Sequence, residues 1–144
     1  MFRGAFAGQR AIVPMTGYYE WVEMDDGKQP YFIHAGDELL AAAGLYAARK
    51  EGDQWKLTLT VITREATDAS GEVHDRMPVF LTRDAWEDWL SPEKLEDKEG
   101  ALAMLRAVSD EISAKILTHP VSREVNNVRK LTRTDPNLVE PITL

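Results

Sequence analysis

The chain has 144 residues, room for one domain with its own core, and a net charge of −7 with a pI near 5.0. It contains no cysteine, which excludes disulfides, zinc–thiolate sites and a cysteine nucleophile within these residues. No apolar run approaches the roughly 20 residues of a membrane helix, and Met1–Phe6 lacks the charged-then-apolar profile of a signal peptide. A cytoplasmic location without a membrane partner is therefore expected.

In chain order, the first half reads as strands. Ala11–Pro14 is a short apolar strand stopped by proline, and Gly17 opens the aromatic, alternating run Tyr18–Val22. Asp25–Lys28 has the composition of a hairpin turn, in which Gly27 supplies positive φ. Tyr31–His34 resumes the strand on the far side. The small apolar run Leu39–Leu45 suits a buried strand, with a helix as the alternative. Lys56–Thr63 is the clearest strand, with Leu57, Leu59 and Val61 on one face. Val79–Leu81 follows Pro78 as another short strand.

The second half turns helical. Thr82 is placed to cap a helix over Arg83–Leu90 with Trp86, Trp89 and Leu90 on one face. Ser91-Pro92 has the cap-then-proline start of a second helix, interrupted by Gly100 and continued by the stripe Leu102, Leu105, Val108. From His119-Pro120 onward, loop and short extended segments are expected. Strands followed by helices, without regular βαβ alternation, indicate an α+β fold.

Three groups of residues can carry chemistry. Glu20 sits between aromatics in Gly17-Tyr18-Tyr19-Glu20-Trp21, on a strand expected to be half buried, where a carboxylate is suited to proton transfer. Its ordinary alternative is the polar face of an amphipathic strand. His74-Asp75-Arg76 places an imidazole, a carboxylate and a guanidinium together; His74 can act as acid or base. The plainer reading is a surface loop in which Arg76 pairs with Asp75. The third is Val121-Ser122 with Val125–Arg129, whose paired asparagines satisfy backbone groups or contact phosphate.

Charge bears on that last choice. An acidic chain argues against a general nucleic-acid footprint, yet Arg123–Arg133 is locally basic through Arg123, Arg129, Lys130 and Arg133 against Glu124. Screening confines distant charge to about 8 Å at physiological salt, so a basic face can bind phosphate on an acidic protein. A solvated loop is the alternative. Other motifs are missing: no phosphate-cradling glycine loop, no zinc-ligand spacing around His34 or His119, and no Gly-x-Ser-x-Gly elbow. No metal and no cofactor are expected, and both histidines read as structural.

These blocks, in this order, resemble the SOS response-associated peptidase (SRAP) family. They are Arg10–Pro14 with Gly17–Trp21, Lys28–Ile33, Ala43–Tyr46, Thr60–Thr63 with Glu65-Ala66, His74–Pro78, Trp89-Leu90 and Val121–Arg129. The resemblance covers nearly the whole chain and matches the C-terminal two-thirds of the family's domain. It implies a single α+β domain over 1–144 with a β-barrel-like core and peripheral helices, lacking its N-terminal part.

It further implies binding of single-stranded DNA that carries an abasic site. In the family, a cysteine exposed by removal of the initiator methionine condenses with the sugar aldehyde to give a reversible thiazolidine crosslink. Glu20 matches the family's glutamate, implied in proton transfer during methionine removal and Schiff-base formation. His74 matches its histidine, implied in sugar ring opening and crosslink reversal. Thr63 is implied in the pocket wall, and Arg3 near the DNA groove; Arg129 is the DNA-contact candidate of the basic segment.

The departure is the cysteine. Residue 1 matches a point well inside the family domain, so the nucleophile is expected on a missing N-terminal segment of the same domain, and the uncovered core is expected to expose apolar surface. Two other functions remain open: a non-catalytic single-stranded DNA-binding fragment, and a Glu/His-dependent peptidase acting through water.

Overall fold

The computed structural model describes residues 3–144. It opens with a helix that the sequence pattern does not suggest, α1 (Arg3–Gly8), and continues through β1 (Arg10–Met15), β2 (Gly17–Met24), β3 (Gly27–His34), β4 (Leu40–Glu51) and β5 (Gln54–Val61). A short ribbon of β6 (Thr63–Glu65) and β7 (Arg76–Pro78) precedes α2 (Trp86–Leu90), α3 (Lys98–Ser113) and β8 (Leu117–Pro120). The strands form two antiparallel sheets, ordered β1–β4–β5 and β2–β3–β8, beside the β6–β7 ribbon. The fold is α+β in one domain, with sheets that pack as open layers.

Strand alternation assigns each side chain to a layer. Val13, Met15, Leu40, Ala42 and Val61 of the first sheet meet Ile33 and Tyr18 of the second in one apolar cluster, joined by Met77, Phe80 and Ile116. The opposite face of the first sheet, Ile12, Ala43 and Leu45, packs with Trp89, Leu105 and Phe6 from the helices. The outer face of the second sheet, Tyr19 and Phe32, packs on Val121, Val125 and Leu138 of the C-terminal segment. A strand side chain alternates between faces with period two. Tyr18 points inward and Tyr19 outward, so Glu20 shares the inner face with Tyr18.

Several expectations are corrected. The run Leu39–Leu45 is a strand, but it extends to Glu51, buried through Leu45 and exposed beyond. The ordered alternation of Leu57 and Leu59 does not bury them: they are 71% and 55% exposed, and Trp55 is 71% exposed. The two leucines do share a face; the layer that would cover it is absent from the described residues. Val79–Leu81 is extended but threads between neighbours, since Ala43 N–H donates to Val79 O, Leu81 N–H to Ala41 O and Val79 N–H to Ile62 O. It fills the gap left where the strand over 56–63 breaks at Ile62.

Thr82 makes no capping bond; a 3-10 turn (Arg83–Ala85) precedes the short α2. The next helix starts at Lys98, with Asp97 accepting from Gly100 N–H. Gly100 thus belongs to the cap, because a Cβ there would collide with the Asp97 carboxylate. The tail contributes β8, paired to β3, and two 3-10 turns.

Candidate functional site

Gly17 sets the geometry of β2. A Cβ at this position would strike the Phe32 ring and the Ile33 carbonyl, so only glycine lets β2 lie against β3 in this register. That register puts Glu20 opposite Tyr31. Glu20 is half buried on the inner face, as the sequence predicts for a carboxylate between aromatics.

His74 sits at the end of the loop between β6 and β7. Asp68 caps the 3-10 turn Ala69–Glu72 by accepting from Ser70 N–H at 2.8 Å and from the Ser70 hydroxyl. The Ser70 carbonyl then accepts from both Val73 and His74 N–H, each at 2.9 Å. His74 Nδ1 accepts from Arg76 N–H at 3.0 Å, so the neutral ring carries its proton on Nε2. Asp75 Oδ1 lies 3.3 Å from the same Nδ1 and is placed to receive an added proton's N–H. Arg76 N–H thus holds the neutral ring, whereas a proton on Nδ1 would oppose that N–H and leave Asp75 as the ring's acceptor.

Arg76 does not pair with Asp75. Its guanidinium donates to Thr63 O at 2.8 Å and Thr63 Oγ1 at 2.9 Å, across the β6–β7 ribbon. Both bonds leave one guanidinium nitrogen, which bridges the Thr63 carbonyl and hydroxyl and pins β7 to β6. The loop that carries His74 is thus tied down at both ends.

No hydrogen bond joins Glu20 to His74 among the described residues. Tyr18 lies two residues before Glu20 on the same face. Its ring packs 6.2 Å from that of Phe80, and its hydroxyl is buried without a hydrogen-bond partner. Burial pushes the Tyr18 phenol up to about 12, Asp68 and Glu20 adding to the rise while Ser70 opposes it.

Thr63 lies where two cavities meet. One, of about 420 Å³, is lined by Arg3, Phe6, Lys98 and Leu102 besides Thr63; the other, of about 410 Å³, by Arg64, Arg76 and Arg106. Arg64 donates to Arg106 O and to Asp110. The resemblance implies Thr63 in a pocket wall and Arg3 near a DNA groove; the sequence reading takes Arg76 only as a partner of Asp75 and misses Arg64 and Arg106, which lie far apart in the chain on β6 and α3. Arg129 lies in the exposed C-terminal segment, apart from both cavities. In the same segment, Asn126 accepts from Trp21 Nε1 at 2.7 Å and donates to Lys28 O at 2.9 Å, a structural use for this asparagine. Arg123 forks onto Asp26 and reaches Gln29. His34 and His119, unlinked by sequence spacing, face each other at 3.2 Å. The described residues hold no cluster of metal-ligating side chains, and none of their helices is long and apolar enough to cross a membrane.

Comparison with known proteins places this geometry. The family model "SOS response associated peptidase (SRAP)" matches residues 1–128. The chain is 33% identical to the abasic site processing protein HMCES of Gallus gallus over 95% of its own length and 45% of that protein's. It is 32% identical to the abasic site processing protein YedK of Escherichia coli, over 99% of its own length and 62% of the relative's. A crystal structure from Bacteroides thetaiotaomicron superposes with a TM-score of 0.79 at 26% identity, covering 99% of this chain and 60% of that one. The chain thus spans roughly half to three-fifths of the length of these relatives. With the family model matching residues 1–128, the chain belongs to the SOS response associated peptidase family.

Proposed function

We propose that this chain is the larger part of an abasic-site processing protein, acting on single-stranded DNA that carries an abasic site. In this reading Glu20 and His74 transfer protons, and a cysteine on a further segment of the same domain supplies the nucleophile. The amine and thiol of that cysteine add to the sugar aldehyde, water leaves, and a thiazolidine forms. His74 serves ring opening and reversal.

One observation carries the reading. The inner face of the first sheet continues past its covered part through Leu59, Tyr46 and Leu57, all exposed. Gly44 ties this strip to the core, since its position is bounded by Val13 on one side and Leu59 on the other. Glu20 belongs to the inner face of the opposing sheet. An apolar strip that continues a core cluster and shares its side with the acid–base carboxylate is where a completing segment would seat its nucleophile. The relatives' greater length provides for one.

The absent thiol favours a second reading, a DNA-binding module without chemistry of its own. Labelled single-stranded DNA with one abasic site separates the two. This chain is expected to bind reversibly and to leave no adduct on a denaturing gel. A longer product of the same gene that begins with cysteine is expected to leave one, slowed by Glu20→Gln and by His74→Ala. An adduct whose rate ignores both substitutions would overturn the proposed roles. Turnover of an unrelated peptide by this chain would instead favour a Glu/His peptidase.

A further inference from the structure

We infer that the apolar cavity walled by Phe6 and Leu102 takes the base of the nucleotide next to the abasic sugar, whichever base that is. The inference rests on the single-stranded DNA reading proposed above, with Thr63 beside the sugar.

Two adjoining cavities differ in chemistry. The first, of about 420 Å³, is walled by Phe6, Leu45, Val61, Ile62 and Leu102, with Arg3 and Lys98 as its cations. Neither cation forms an ion pair among the described residues, and the acidic neighbours of Lys98, Asp97 and Glu99, do not line the cavity. The second, of about 410 Å³, is basic, with Arg64, Arg76 and Arg106 against Glu65. Ile62, Thr63 and Leu102 belong to both walls.

That shared wall is bonded to the loop of His74. Arg76 donates to Thr63 O at 2.8 Å and Thr63 Oγ1 at 2.9 Å, and its own N–H donates to His74 Nδ1 at 3.0 Å. A sugar at Thr63 therefore borders an apolar chamber and a cationic one, which match the base and the phosphates of an adjacent nucleotide. The abasic sugar has no base of its own to fill the apolar chamber, so the occupant comes from a neighbour. Every base has a π-face, and an aromatic wall with flanking cations is the combination that binds single strands without reading their sequence.

Fluorescence anisotropy with two oligonucleotides tests this on the intact chain. Both carry a stable tetrahydrofuran abasic analogue at the centre. In the second, both flanking nucleotides are tetrahydrofuran as well, which keeps the phosphates and removes the neighbouring bases. The first is expected to bind on the order of tenfold more tightly, with adenine and thymine flanks alike. Leu102→Trp, at an exposed position of α3, fills the cavity and should abolish the difference. Phe6→Ala should reduce it, and Arg76→Ala should weaken both oligonucleotides and preserve it. Equal binding of the two by the parent, or a difference that Leu102→Trp leaves intact, would overturn the inference while the DNA reading stands. Binding of neither at low salt would overturn the DNA reading and the inference together. A dimer in sedimentation runs that Leu102→Trp dissolves would give the cavity to a second copy. Loss of the difference in the longer product that begins with cysteine would give it to the completing segment; either result overturns the inference.

Discussion

Arg10 shows how one residue can organise three elements. It is buried, stacks on the Trp89 ring and donates to the carbonyls of Phe6, Ala7, Trp89, Ser91 and Glu93. No carboxylate pairs with it among the described residues. Those carbonyls lie at the end of α1 and around the end of α2, where a helix leaves carbonyls without internal partners. A guanidinium fork meets five such acceptors and a lysine cannot. Arg10→Ala is expected to lower stability by about 3 kcal/mol, read from the urea midpoint, with Arg10→Lys recovering only a small part. Tyr18 adds a pH dependence at this scale. Its phenol rises from its ordinary value near 10 to about 12, so the fold binds the proton that the unfolded chain releases. The resulting stability is present below about pH 10 and is lost as pH climbs toward 12. Tyr18→Phe should flatten that alkaline decline in thermal melts.

At the scale of elements, the C-terminal segment is held on the second sheet by a chain of imidazole hydrogen bonds. Gly36 N–H donates to His34 Nδ1 at 3.1 Å, so the neutral His34 ring donates through Nε2 to His119 Nδ1 at 3.2 Å. His119 Nε2–H then donates to Val139 O at 2.8 Å. His119→Phe, which removes both bonds, is expected to speed hydrogen exchange at Ile142, whose amide bonds Pro120 O, while β4 amides stay protected. The Asp26–Arg123 fork responds to acid. Its hydrogen bonds hold the Asp26 carboxyl below the usual range, so its contribution exists above the ordinary carboxylate pKa and disappears as pH falls through the depressed one. The pair is open to solvent, so added salt should weaken it, as the Asp26 NMR titration would show. The β4–β5 hairpin behaves oppositely to a core element. Leu57→Lys is expected to change stability by less than about 0.5 kcal/mol and to reduce self-association in sedimentation runs.

Across the whole molecule, a local group of arginines stands against an acidic total. The net charge of −7 repels nucleic acid, yet Arg64, Arg76 and Arg106 gather around Thr63 beside a cavity lined by Arg3 and Lys98. Contact with about three phosphates through these groups would give a log–log salt slope near −2 for single-stranded DNA. Arg76→Ala and Arg106→Ala are expected to weaken binding and flatten that slope, whereas Arg129→Ala should leave both nearly unchanged. Fluorescence anisotropy across salt concentrations checks this. An Arg129 effect equal to that of Arg76 would return the DNA path to the C-terminal segment.

Local pattern alone determined much of this protein. Alternation over Tyr18–Val22 and Lys56–Val61, the Gly27 turn and the run of strands from β1 to β5 follow from side-chain period and backbone sterics, which are properties of neighbouring residues. The motifs that carry Glu20 and His74 can be picked out because each is contiguous, and the roles proposed for them rest on the family resemblance. What only the tertiary structure decided lies between residues far apart in the chain. Arg10 finds carbonyls some eighty positions away, His34 finds His119 at a separation of 85, and Arg76 turns from its neighbour Asp75 to Thr63 across the ribbon. The exposure of Leu57 and Leu59 is of this kind too. Period fixes which side of a strand a residue faces; whether another layer covers that side depends on the packing of the whole fold.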